Sequence, residues 1–136
     1  MTQFLFADSA GFEAWLHSLD DDTNALATKA MAFLLKNLHA LPEIKRWTKR
    51  LGFNFLELRI GPTYGHVERL LEHSSRTRKS KERLLLRVFV MDLASNRFLV
   101  LSGYDKLLDL SRERQQSEIA KALQLYEGWT KQNEVF

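Results

Sequence analysis

Apolar positions along this chain follow two periods, and the change from one to the other comes at Gly52. Before it the spacing is helical. Phe12, Trp15, Leu16 and Leu19 stand at i, i+3, i+4 and i+7, which gathers them on one face of a helix. Asp8 or Ser9 supplies the oxygen that caps such a helix. Leu26, Ala30, Phe33, Leu34, Leu38 and Leu41 repeat at the same spacing across 23–40, and Pro42, with no N–H to give, ends the run. The aspartates at 20, 21 and 22 close the first helix and offer caps and first-turn acids to the second. Ahead of both, the short apolar run at 3–7 reads as a strand.

After Gly52 the pattern is that of strands. FNFLELRI (53–60) mixes apolar and polar positions, as a strand with one more exposed face does, and it stops at Gly61-Pro62. LLLRVFVMDL (84–93) is apolar almost throughout, which predicts a central strand covered on both faces. Ala94-Ser95-Asn96 turns the chain, and RFLVLSG (97–103) returns beside it. Ile119, Ala122, Leu123 and Tyr126 then mark a last amphipathic helix. The predicted order is β-α-α-β-β-β-α over residues 1–136, a single α+β domain whose antiparallel sheet is packed by helices. One stretch fits this economy poorly. Residues 62–83 separate two strands that a tight turn would join, and a connection that long is commonly functional or mobile. Its second half, SSRTRKSKER, has five cations, one acid and no large apolar residue, so a flexible basic arm is expected.

Composition narrows the classes. With 136 residues, 45% of them apolar and 27% charged, the chain suits one folded domain and not a disordered one. The absence of cysteine excludes disulfides, thiolate metal sites and a cysteine nucleophile. The first residues lack a positive leader, and no apolar run nears the roughly 20 residues a membrane span requires. A cytoplasmic protein without membrane contact is expected. The net charge is only +3, but it is unevenly placed. The first 28 residues hold Asp8, Asp20, Asp21, Asp22 and Glu13 with no Lys or Arg, whereas 45–87 is densely basic. An anionic partner for the middle of the chain is one reading and a solvated surface the other.

Familiar catalytic constellations are missing. The glycines are scattered, so there is no phosphate-cradling loop. His66 and His73 flank Glu68 and Glu72 at a spacing that does not compel a metal. Neither metal nor cofactor is expected. What remains is a cationic set on the sheet. Arg59 lies near the end of one strand, Arg87 early in the next, and Lys106 after the last, so an antiparallel meander brings Arg59 and Arg87 side by side. Arg112 and Arg114, opening the final helix, fall near the same edge. Such a set can hold a phosphodiester and stabilise the added charge of its pentavalent transition state, with a 2′-hydroxyl of RNA as nucleophile. Arg87 carries the most weight, because it interrupts an apolar strand and its desolvation needs a reason. Tyr104 is either part of this set or a strand-end core aromatic. Arg76, Arg78, Lys79, Lys81 and Arg83 are the RNA-binding candidates of the arm.

Four short motifs, in order, resemble the RelE/ParE superfamily of bacterial toxins, and its HigB and phage-derived branch most of all. They are ELRI (57–60), LRVFV (86–90), LVLSGYDK (99–106) and EIAKAL (118–123), and the likeness in element order runs over about 4–127. The resemblance implies a RelE-like fold and a metal-independent, ribosome-dependent endoribonuclease that cuts translated mRNA. It also implies a cognate antitoxin, either an acidic segment or a helix-turn-helix protein. By position it assigns Arg59, Arg87 and Lys106 to phosphate binding and acid–base chemistry and matches Tyr104 to a family aromatic. Arg112 and Arg114 fall in the following basic stretch. Leu107 stands where the family has a second lysine, and Ser102 where it has histidine. Those departures keep two alternatives in view. One is a ParE-type toxin that binds a protein target such as gyrase without nuclease chemistry, and the other is a basic RNA-binding phage accessory protein.

Overall fold

The computed structural model describes residues 1–71 and 78–133, with the backbone alone at 78 and 79. Its elements in chain order are β1 (Gln3–Phe6), α1 (Ser9–Ser18), α2 (Asp21–Lys36), β2 (Thr48–Gly52), β3 (Phe55–Ile60), α3 (Tyr64–Leu70), β4 (Leu86–Asp92), β5 (Arg97–Asp105) and α4 (Arg112–Gln132). The α+β class expected from the sequence is what forms. Two elements are additional. The connector after Pro42 makes a 3-10 turn over Pro42–Trp47 and then strand β2, and α3 occupies the first half of the 62–83 connection. The second helix also stops at Lys36, where Asn37 serves as its C-cap.

Local chemistry explains the boundaries. Asp8 Oδ1 accepts from the Gly11 N–H at 3.0 Å and starts α1. Asp20 Oδ1 accepts from Thr23 N–H at 2.8 Å and starts α2. Each cap satisfies one of the donors that a helix N-terminus leaves free. Thr63 and Ser111 cap α3 and α4 in the same way.

The five strands form one sheet in the order β1-β5-β4-β3-β2, so β4 is central, as its continuous apolar character predicts. Pairing is antiparallel throughout except for β1, which runs parallel to β5 from Gln3↔Arg97 to Phe6↔Val100. The helices α1, α2 and α3 cover one face over Leu58, Ile60, Val88, Val90, Phe98 and Val100. On the other face, α4 packs Ile119, Ala122 and Tyr126 over Phe55, Phe89, Met91, Leu99 and Leu101.

One irregularity decides which residues reach that second face. Phe89 pairs with Ser102 and Val90 with Val100, so Leu101 is an extra residue in β5. A bulge of this kind reverses the alternation of everything that follows it. Past the bulge Gly103 lies beneath the Trp15 ring on the α1 side, and Tyr104 joins the cluster under α4.

The base of the 62–83 connection is pinned. Tyr64 N–H donates to the Glu82 carbonyl at 3.1 Å, Leu84 N–H to the Pro62 carbonyl at 2.8 Å, and Ser80 Oγ to Glu68 Oε1 at 2.8 Å. Val67 and Glu68 are buried there. Among the described residues, no helix is long and apolar enough to cross a membrane.

Candidate active site

Strands β3, β4 and β5 carry a row of aligned polar side chains on the α4 face. Arg59 pairs across strands with Arg87, and Arg87 with Tyr104. One step along, Glu57 pairs with Phe89 on one side and with Lys49 of β2 on the other. Lys106 follows β5, and its N–H donates to the Leu85 carbonyl at 2.8 Å. The meander thus sets Arg59 beside Arg87, as the strand order predicts, and Tyr104 and Lys106 fall in with them past the irregularity in β5.

Their surroundings differ sharply. Arg87 is 9% exposed. Its Nη1 donates to the Leu86 carbonyl at 3.0 Å, while its Nε has no partner. Burial lowers the guanidinium's proton affinity and Arg59 adds to that, whereas Glu57 opposes it. Tyr104 is 2% exposed, with its ring 6.1 Å from Phe89 and the Arg114 guanidinium 5.4 Å above it. Its hydroxyl is buried without a partner, and burial, then Glu57, push its pKa up. The Arg114 guanidinium thus covers one face of the ring. Ser102 Oγ, the neighbour two positions back, is buried and unpartnered as well. Unmade hydrogen bonds at such groups cost about 1–3 kcal/mol each, so three of them in one small region mark a place where packing alone was not the selected property.

Lys106 and Arg59 are the accessible members. Burial holds the Lys106 ammonium below the ordinary lysine range, helped by the Arg87, Arg59 and Lys49 charges and opposed by Glu57. Arg59 keeps 38% of its side chain exposed, and its Nε donates to Glu57 Oε1 at 3.1 Å.

Sequence reasoning missed Glu57, Lys49, Gln115 and Glu118. Glu57 is fully buried, and its second oxygen accepts from Gln115 Nε2 of α4 at 3.2 Å. Glu118 receives Arg114 Nε at 2.9 Å. The signal for Glu57 was present in the strict alternation of β3, where Phe55, Glu57 and Arg59 share one face and Leu56, Leu58 and Ile60 the other.

The remaining candidates are dispersed. Arg112 is exposed at the start of α4. Arg83 pairs with Thr63 in an isolated bridge and lines a cleft of about 440 Å³ that reaches Tyr104 and Arg114. Lys81 is exposed at the end of the 3-10 turn Arg78–Lys81. Arg76 lies outside the described residues, as do the side chains of Arg78 and Lys79. His73 and Glu72 lie outside them too, while His66 Nδ1 sits 2.6 Å from Thr63 Oγ1 at the α3 cap. Among the described residues, no three His, Asp or Glu side chains form a group able to hold a metal ion.

An accessible lysine with weakened hold on its proton, beside two arginines on a sheet face, can bind a phosphodiester, move a proton and stabilise added negative charge. The chain matches no protein-family model, no curated protein and no solved structure.

Proposed function

We propose that this chain is a toxin of the RelE/ParE type that cleaves ribosome-engaged mRNA without a metal and is silenced by a cognate antitoxin. The observation that carries the reading is the cross-strand row of Arg59 and Arg87 flanked by Lys106. It puts two guanidinium cations and one lysine whose hold on its proton is weakened by burial on a single face. In the proposed reaction the neutral Lys106 amine takes the proton of a ribose 2′-hydroxyl. The 2′-oxygen bonds to phosphorus, the bond from phosphorus to the 5′-oxygen breaks, and the leaving oxygen recovers a proton from the Lys106 ammonium or from water. The products are a 2′,3′-cyclic phosphate and a 5′-hydroxyl. Arg87 and Arg59 stabilise the extra charge on the phosphoryl oxygens, a contribution worth about 10²–10³ in rate for a single well-placed donor.

Mapping new 5′ ends in mRNA after brief induction in growing bacteria tests the proposal. Cuts inside translated messages, absent from an Arg87→Met variant, are the expected result. Growth arrest with DNA damage and intact mRNA would overturn it in favour of a protein-targeting toxin. Salt-sensitive RNA binding without arrest would favour an accessory RNA-binding protein.

A further inference from the structure

Among the described residues, Glu57 is the one buried carboxylate on the cationic face that the proposed reaction leaves unused. Four cations of this face surround it in register or through space. Lys49 is its cross-strand neighbour on β2, Arg59 lies two positions on in β3, Arg87 stands opposite Arg59 on β4, and Lys106 follows β5. From α4, Gln115 donates to it, whereas Glu118 and Arg114 satisfy each other. Tyr104 faces the same space as a neutral phenol. A single internal anion among four cations leaves the face positive, and it also fixes where those cations point.

We infer that Glu57 is a positioning residue, an internal counter-anion that turns Arg59 side-on and ties the first turns of α4 to the phosphate-binding face. Glu57 Oε1 takes the Arg59 Nε, which leaves both terminal nitrogens of the guanidinium free to bind phosphate as a fork. Glu57 Oε2 takes the Gln115 side chain, so the carboxylate also holds the helix turn from which Arg114 covers Tyr104. Losing either donor leaves an unpaired acceptor in the interior. The same charge opposes the lowering of proton affinity that burial and the neighbouring cations cause at Lys106 and Arg87. Glu57 therefore acts on every member of the row while remaining closed to solvent itself.

This inference rests on the nuclease reading for the identity of the bound phosphodiester, but its test uses no RNA. In the full chain, the lysine side-chain resonances and the Glu57 carboxyl carbon are followed by NMR across pH. In the wild type, the Glu57 carbon is expected to show a step at the pH where Lys106 titrates, because coupled groups report each other's ionisation. In Glu57→Gln, which keeps shape and loses charge, Lys106 is expected to titrate at lower pH, and Glu57→Asp is expected to restore much of the difference. Where cleavage is measurable, its Lys106-dependent limb moves to lower pH in Glu57→Gln and the rate falls on the order of 10²-fold, as misplacement of a phosphate clamp does. An unmoved Lys106 titration in folded Glu57→Gln overturns the inference. If that variant does not fold, absence of the coupled step in the wild type overturns it instead. Coupling without any RNA cleavage leaves the role of Glu57 standing and removes the nuclease.

Discussion

At the scale of single residues, Arg87 shows how burial and function pull apart. Its guanidinium is almost enclosed, its Nε is unpartnered, and desolvation works against its charge. Such a group contributes little to stability, because replacing a poorly compensated buried charge with an apolar side chain of similar length is often neutral or stabilising. Arg87→Met should therefore leave the urea midpoint unchanged or raised, and under the proposed function mRNA cleavage should fall at least about 100-fold. A clear loss of stability would make Arg87 a structural residue. Lys106 gives a second prediction. Its pKa lies below the 10.5 of a free lysine, so between the folded value and 10.5 the unfolded chain holds more protons and stability rises with pH. That contribution is present above the window and lost as pH falls through it. Tyr104 acts oppositely, since its pKa is raised above 10.0 and its contribution is lost as pH rises beyond that value. Unfolding midpoints across the alkaline range should accordingly lose the rise in Lys106→Gln and keep it in Tyr104→Phe.

At the scale of elements, the meeting of α1 with β5 depends on an absent side chain. A Cβ on Gly103 would meet the Trp15 ring, at Cζ3 first. Gly103→Ala should destabilise the protein by about 1–3 kcal/mol, the usual cost of overpacking. The cost should shrink in a Trp15→Leu background, and thermodynamic coupling in that double-mutant cycle is the measurement. The same strand shows what the sequence could and could not tell. Arg59 beside Arg87 was legible, because two strands joined in an antiparallel pair need only a register and the apolar pattern supplies one. The arrival of Tyr104 on that face was not, because it follows from the extra residue Leu101, and LVLSGYDK carries no mark of a bulge. β2 was hidden for a related reason. TKRLG has too few apolar positions to show a period, and it becomes an edge strand only because β3 offers Thr48–Gly52 a partner. The helix α3 was masked by the basic residues that follow it, although Thr63 stands as its cap and buried Val67 as its anchor.

Across the whole molecule, the aspartates of the N-terminal stretch and the cations of the candidate site lie on opposite faces of the sheet. Asp8, Asp20, Asp21 and Asp22 serve helix starts on the α1–α2 side, and Lys49, Arg59, Arg87 and Lys106 gather under α4. Polyanions should be drawn to that side from a distance. The arm over 74–83 extends this basic region in sequence. Replacing Arg76, Arg78, Lys79 and Lys81 with Ser should flatten the log–log salt dependence of single-stranded RNA binding by about two to three units, at roughly 0.7 per phosphate contact. An unchanged slope would assign RNA binding to the sheet face alone. The parallel pairing of β1 with β5 has a consequence in time. Gln3–Phe6 has no strand to join until Arg97–Val100 has been made, so the sheet stays open through most of the chain's own synthesis, and non-local pairing of this kind closes slowly. Lys106, Arg114 and Gln115 emerge later still. The cationic face is therefore complete only after β5 and the start of α4 have been made, because Lys106 follows the one and Gln115 lies in the other.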